Sequence, residues 1–573
     1  MSSRRFFSFF LIVIVGAGGL LAQNKSNASV NDPILTAMKA EMERSKQKLK
    51  LPEMQAPYYI EYSVADTNHY SAAASFGALT SEQQARSRVL SIVVRVGDYK
   101  QDNSFQGTGL VDLLPMDNDI FAMRHAIWLA TDRAYKQALS IYAAKQAMLR
   151  RYQMEQPVDD FSHEQPLTYI GDVATLDIGK QNWPQLLQSL SSLYRQDPQL
   201  NTFTASLNFT AGTRYFLNSE GTVTRKPEQQ YRVSIYGATQ AADGMTLERN
   251  YGEVTPTLGE LPSAEKLHAE ALKLLGTLKQ LREAPTVKDS YQGPVLFSGD
   301  SADSVFAELI ANNVVGIKPK PGSNARTTGN YAGNYKNRIL PAFLSIVDDP
   351  TIKAFKGEGL ISSYEVDDEG VKAQPVTVVE KGELVNYLTS RQPIRDFPNS
   401  NGHGRSELSM FGLSTEAKAS TLLLKPEQVT QHAQLKQKLI ALCKDQNLPY
   451  GYYVETMAPA ARASEAEDEG EAAPRFAPRL LYRVYVNDGH EELVRGAEFG
   501  GLDTRALRTS ILAMGDDPFV EGAGDEQAPI TIVSPSVLFG DLEVKPTESG
   551  KDKLPQYPPP QINSSQFPVA SSQ

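Results

Sequence analysis

The texture of the sequence changes at Gly293, and this break limits the fold more than any other feature. Before it, segments with helical hydrophobic period alternate with β-branched and aromatic runs. After it, short strand-like runs recur between acidic or glycine turns: Val295–Phe297, Leu340–Val347, Val376–Val379, Leu422–Leu424, Tyr450–Val454, Leu480–Val486 and Ile530–Val533. Turn punctuation this frequent predicts a mainly-β domain, a curved sheet or an open barrel.

The first half predicts a different architecture. Ile120, Met123, Ile127, Ala130, Ala134, Ala138 and Ile141 fall at three- and four-residue steps, so a helix is expected from about Asp119 to Tyr152. Asn118 or Asp119 can cap it, and Trp128, Tyr135 and Tyr142 are expected to pack. Further helices are expected from about Pro33 to Lys50, Trp183 to Tyr194 and Ser263 to Leu281. Strands are expected at Tyr58–Val64, Val89–Val96, Phe203–Phe209 and Tyr231–Tyr236. The fold class is therefore α+β. Residues 30–290 form an N-terminal α+β domain with an antiparallel sheet and long helices, and residues 291–547 form the C-terminal β-rich domain. An acidic stretch, 459–476, is expected to be a solvated loop. The tail 548–573, rich in Pro, Ser and Gln, is expected to be disordered.

The formal net charge is −10 and the pI is near 5.4. No dense Lys/Arg cluster with interleaved aromatics occurs, which argues against nucleic acid as a main partner. The single cysteine, Cys443, excludes an intramolecular disulfide and a Cys-rich zinc site. It is expected on the apolar side of a helix from about Gln434 to Cys443, buried and inert. Only one segment is apolar enough to concern a membrane. Arg4 and Arg5 precede the run Phe6–Val15, and Leu20-Leu21-Ala22 offers a cleavage site before Gln23. Residues 1–22 are expected to be a signal peptide, the alternative being an uncleaved anchor. Removing its two arginines takes the charge from −10 to −12. The protein is then exported, periplasmic or in the extracellular envelope, with no membrane span after cleavage. Ser3-Arg4-Arg5-Phe6-Phe7 also resembles the start of a twin-arginine signal.

The search for chemistry is mostly negative. The seven histidines include no two within a helical turn of each other, so no helical zinc pair exists. His163-Glu164 and His490-Glu491 are isolated. Neither a Gly-x-Ser-x-Gly elbow nor a Gly-x-x-x-x-Gly-Lys loop is present. Asp348-Asp349, Asp367-Asp368 and Asp516-Asp517 lie where Asp makes turns. In Asn401-Gly402-His403-Gly404-Arg405, two glycines permit close backbone approach, and His403 and Arg405 can bind a carboxylate.

In order and spacing, these pieces resemble the TldD/PmbA family of peptidase-related proteins, most strongly from Gly293 to about Lys545. Gly293-Pro294-Val295 opens the domain as in the family, and Asp348-Asp349-Pro350 is similar to its Asp-Asp-Gly turn. Asp367-Asp368-Glu369-Gly370, Gln374, Glu380-Lys381-Gly382-Glu383-Leu384 and Tyr387-Leu388 follow its central run. The loop Asn401–Arg405, Val494–Ala497 and Met514–Asp517 match later landmarks, and Asn218-Ser219-Glu220-Gly221 matches a turn in the first half. The resemblance implies dimers with a peptide cleft and two branches. One carries His-Glu-x-x-x-His on a helix, with a late Cys, and hydrolyses peptides at a metal. The other, PmbA/TldE-like, lacks these ligands and acts as a partner subunit. Here Ala307-Glu308-Leu309-Ile310-Ala311-Asn312 stands where the metal motif would be, leaving Glu308 as the one candidate catalytic group. No cofactor is expected; zinc would belong to a partner that carries the motif.

The function expected from this is an exported, non-catalytic subunit shaping a peptide-binding cleft in a peptidase dimer, with Asn401, His403 and Arg405 as candidate peptide-binding residues. Its ligand would be a peptide or unfolded polypeptide, and its partner a second copy or a TldD-like paralogue. The rivals are a working peptidase using Glu308, His403 and the aspartate pairs, and a stand-alone envelope binding or assembly factor.

Overall fold

The structure is a computed structural model and describes residues 32–104, 109–154, 157–409, 412–458, 476–524 and 528–547. The expected signal peptide, 1–22, most of the expected acidic loop, 459–476, and the tail 548–573 lie outside the described residues.

Helix α1 (Pro33–Lys48) starts at Asp32, whose carboxylate accepts from the Ile34 and Leu35 amides. Strands β1 (Tyr59–Ser75) and β2 (Ala78–Arg95) form a long hairpin and β3 (Gly109–Leu113) adds to β2. Helix α2 (Ile120–Tyr152) is capped by Asp119. After β4 (Thr168–Ile170) and α3 (Trp183–Ser191) come β5 (Leu200–Asn218), β6 (Val223–Gln240), β7 (Thr246–Thr255) and α4 (Ala264–Glu283). The strands run well beyond the expected segments because only their apolar ends alternate clearly.

One face of this sheet is apolar and covered. Met38, Met123, Ile127 and Ala130 of α1 and α2 pack on Tyr62, Val64 and Ile92. Leu187, Leu190, Leu274 and Leu278 of α3 and α4 pack on Phe203, Phe209 and Val233. Trp128 departs from expectation: it stands one step off the buried stripe of α2, is 41% exposed, and lies against His125 and Arg44. The other face of the sheet is polar. Thr210 pairs with His69 and Gln230, and Asn208 with Ser71 and Arg232.

The second half begins with β8 (Tyr291–Phe297) and helix α5 (Gly299–Phe306), which runs into a π-helical turn, Ala307–Ala311. Two main sheets follow. In the seven-stranded one, β8 lies between the strand Tyr450–Met457, parallel to it, and Val537–Pro546. In the six-stranded one, Leu344–Asp348 pairs with Thr421–Pro426, which pairs in parallel with Pro529–Ser534. Among the described residues, no sheet closes into a barrel. The two sheets are held apart by α5, which packs on Tyr450–Met457 of one and on Phe519–Gly524 and Pro529–Ser534 of the other. Phe297, Phe306, Ile346, Leu422, Ile532 and Phe539 share the resulting core. Helix α6 (His432–Asp445) buries Leu435, Leu439 and Cys443, and burial pushes the Cys443 thiol up.

A hairpin of the second half, Gly404–Ser409 with Gly412–Ala417, leaves its own sheets and extends the N-terminal one. Leu413 pairs with Gly109 of β3, making nine strands. Among the described residues, no helix is long and apolar enough to cross a membrane.

Candidate functional site

The motifs that looked like chemistry meet at the seam between the two halves. Asp367 makes a turn, as expected, accepting the Glu369 and Val371 amides. Asp368 does something else. Lys226 of β6 donates to its Oδ1 at 2.7 Å and also to the carbonyls of Val366 and Asp367. Arg405 Nε donates to its Oδ2 at 3.3 Å, and Arg214 of β5 lies 3.9 Å away. Burial alone would raise this carboxyl; Lys226, then Arg214 and Arg405, outweigh that and hold it well below the usual range. Beside it, Glu369 accepts the Arg391 amide at 2.6 Å. Burial and the neighbouring Asp367 charge push Glu369 up, and burial likewise raises Asp367. Arg391 clasps Glu220 with two hydrogen bonds. The turn Asn218–Gly221 and the run Asp367–Gly370 are thus two sides of one interdomain clasp.

The loop 401–405 is turned into the protein. Gly402 sits at φ +81°, and a Cβ there would lie 2.4 Å from the Lys372 carbonyl; one on Gly404 would lie 2.4 Å from Glu369 Oε2. The glycines do allow close approach, but of the chain's own segment 367–373 rather than of a ligand. His403 is wholly buried, its ring nitrogens 2.9 Å from Asn401 Oδ1 and 3.0 Å from Asp348 Oδ1. Asp348 also accepts the Ser420 amide, so it anchors two strand ends instead of making a turn. Asn401 is occupied with the Thr389 amide and the Tyr387 carbonyl. Of the three candidate peptide-binding residues, Arg405 alone reaches a cavity, its guanidinium 4.7 Å from the centre of the Tyr364 ring.

That cavity, ≈ 380 Å³, lies between the halves. The polar face of the N-terminal sheet supplies Thr210, Lys226, Glu228 and Gln230. Lys353, Tyr364, Glu365 and Arg405 face them, with Pro227, Pro256, Leu360, Ile361 and Pro529 as apolar walls. A shallow depression of ≈ 450 Å³ at the end of α4 is lined by Lys279, Gln280, Glu283, Ala284 and Leu493 and gathers no buried charge.

The family model described as the PmbA/TldA metallopeptidase C-terminal domain matches residues 290–546. This second half carries the TldD/PmbA family domain. A metalloprotease of Methanocaldococcus jannaschii is 24% identical over 287 residues, 48% of this chain and 57% of its own length. One of Methanothermobacter thermautotrophicus is 27% identical over 177 residues, 31% of this chain and 36% of its own. The chain thus spans about half or less of the length of these relatives. TldE from Thermococcus kodakarensis shares the fold with a TM-score of 0.57 at 11% identity, over 89% of this chain and 99% of its own. A Thermotoga maritima protein described as a suggested modulator of a DNA gyrase matches with the same score and coverage at 15% identity.

The segment that the resemblance sets in the place of the metal motif is the π-helical turn. The Asn312 amide donates to the Ala307 carbonyl at 3.3 Å, an i to i+5 bond. In a regular α-helix, positions five apart point about 140° away from each other; a π-turn brings them to one side. A spacing of five residues between two ligands therefore suits this backbone. The side chains do not: Ala307 offers a methyl group, and the Asn312 amide donates to Glu308 Oε2 at 3.4 Å. Among the described residues, no three His, Cys, Asp or Glu side chains are grouped to hold a metal ion. The residues present do not fit the ion of the metal-bearing branch. Glu308 does not line the cavity.

Sequence reasoning missed Lys226, Gln230 and Arg214. The signal for Lys226 and Gln230 was the polar residue at every second position of β6, from Lys226 to Ser234, against buried Tyr231, Val233 and Ile235.

Proposed function

We propose that this is an exported PmbA/TldE-like protein without a catalytic metal of its own, which shapes a peptide-binding cleft as one subunit of a peptidase dimer. The observation that carries the proposal is the π-turn Ala307–Ala311, where the backbone keeps a geometry suited to two ligands five residues apart while Ala307 and Asn312 fill those positions. A water at a metal loses its proton near neutrality because the ion stabilises hydroxide; Glu308 by itself supplies no such effect. The interdomain cavity, between a polar sheet face and apolar walls, supports this reading as a space into which part of a peptide could fit. The metalloprotease names of the archaeal relatives and the name TldE support a role beside a peptidase. The test is to isolate the protein from its native envelope fraction. A co-purifying partner bearing His-Glu-x-x-x-His, with peptide hydrolysis only when both are present, is the expected result. Hydrolysis by the purified chain alone would overturn the proposal.

A further inference from the structure

A second group of buried acids lies at the start of α5. Asp303 is wholly buried, and neither of its carboxyl oxygens meets a hydrogen-bond partner. One turn earlier on the helix, Asp300 accepts from the Thr456 hydroxyl at 3.3 Å. Glu521 comes from the strand Phe519–Gly524, on which α5 packs. A Cβ on Gly299 would lie 2.5 Å from the Phe519 Cβ, so helix start and strand touch. The Asp300 and Glu521 charges both act on Asp303, and the Asp300 charge acts on Glu521. Glu253 of β7 adds to the repulsion at Glu521, and Glu455 to that at Asp300. Among the described residues, the cations of this seam, Arg249 of β7 and Arg479 of the strand Pro478–Tyr485, act on Asp300, and neither acts on Asp303 or Glu521. Tyr453 is pushed up to about 12 and stays neutral. The strand Pro529–Ser534 has no titratable side chain, and its Ser534 main chain is the one group that favours an ionised Asp303. Burial and its acidic neighbours therefore keep Asp303 protonated, and burial with the Asp300 and Glu253 charges pushes Glu521 up to about 7.

The strand that carries Glu521 is held on one side only. It is the outermost of its six-stranded sheet, and among the described residues it pairs with Pro529–Ser534 alone. Helix α5 is the firmer of the two, since its Ala302, Val305 and Phe306 belong to the core shared by both sheets. The strand also backs the interdomain cavity. The Ile361 side chain lies 3.7 Å from where a Cβ on Gly522 would stand, and Ile361 lines the cavity together with Pro529. We propose that the strand Phe519–Gly524 is a proton-held flap of this cavity, seated on α5 while Asp303 and Glu521 carry their protons and released by repulsion when they ionise. A seated state that holds protons more tightly than the released one gains its full stability below the ordinary carboxylate range and loses it as pH rises through the raised values, for Glu521 near neutrality. The flap acts whatever ligand the cavity takes, so it stands apart from the peptide reading.

The test is hydrogen–deuterium exchange of the full-length chain, read by mass spectrometry at about pH 6 and about pH 8.5 and corrected for the intrinsic pH dependence of amide exchange. Peptides covering Phe519–Gly524 are compared with peptides covering Thr421–Pro426, an inner strand of the same sheet. Between the two pH values the outer strand should lose protection relative to the inner one by about tenfold or more, because each proton released weakens the seating by up to about tenfold per pH unit. Glu521→Gln, which fixes the neutral form, should leave the relative protection of the outer strand nearly the same at both pH values. Asp303→Asn, of the same shape and without a charge, should shrink the loss. An outer strand whose relative protection does not change with pH overturns the inference, as does Glu521→Gln with the parent's full loss. A loss shared equally by the two strands, as general destabilisation through Glu369 would give, also overturns it.

Discussion

Arg391 of the second half donates to both carboxylate oxygens of Glu220 in the first, at 2.8 Å to Oε2 and 2.9 Å to Oε1. Its guanidinium also lies 4.1 Å from the centre of the Phe161 ring and donates to the Ser162 carbonyl. Arg391 is 1% exposed, so this pair is closed off from water. Removing one member leaves a buried charge, which typically costs about 3–5 kcal/mol. Arg391→Met should lower the unfolding free energy by that order in chemical denaturation. The double variant Arg391→Met with Glu220→Gln should recover part of the loss, because no lone carboxylate remains. A double variant as unstable as the single one would count against the clasp.

Glu369 predicts a pH dependence. Its carboxyl is raised in the folded state by burial and by Asp367. A raised folded pKa means that the native state holds the proton more tightly than the unfolded chain. The stability it brings is complete below the ordinary carboxylate range and is lost as pH rises through the raised value. Glu369→Gln mimics the protonated acid and keeps an acceptor for the Arg391 amide. Relative to the parent it should gain stability from about pH 4 to pH 8, by roughly 1–3 kcal/mol at the upper end. Melting curves across that range would show it; a difference that stays flat with pH would refute it.

Arg405 has a structural share in addition to its place at the cavity. Arg405→Ala removes a buried partner of Asp368, but Lys226 and Arg214 remain beside that carboxylate. The expected cost is therefore modest, about 1–3 kcal/mol. A melting temperature equal to the parent's would show that the pair contributes nothing.

The π-turn predicts a gain of binding. Metal analysis of the purified chain should find no stoichiometric zinc. Ala307→His with Asn312→His should create measurable zinc affinity by isothermal titration, since the turn brings these positions to one side. Either single substitution should create much less. A double variant that behaves like the singles would mean that this backbone does not present the two positions together.

Much of the framework was legible from the sequence. The 3.6-residue period of α2 and its Asp119 cap follow directly from local rules, as does the apolar side of α6 that buries Cys443. The run expected from Leu340 to Val347 becomes a strand only at Leu344, since Pro341 has no amide to donate and its carbonyl instead closes a turn with the Leu344 amide. The site was harder to read because its chemistry is non-local. Asp368 looked like a turn former in its own neighbourhood, and the cations that hold it ionised come from residues 214, 226 and 405. His403 looked accessible between two glycines, and those same glycines let residues 367–373 close over it. No periodicity announces a contact between strands separated by well over a hundred residues.

The hairpin Gly404–Ala417 has a consequence for how this chain comes into being. The strand that covers the free edge of β3 is synthesised some three hundred residues after β3 itself. Until then the N-terminal sheet exposes an unpaired edge, the kind of surface that recruits other extended chains. A ribosome or translocation pore releasing this protein from its N-terminus would therefore present an incomplete sheet for most of the time needed to make it. That interval, rather than the finished molecule, is when the chain has most need of a chaperone.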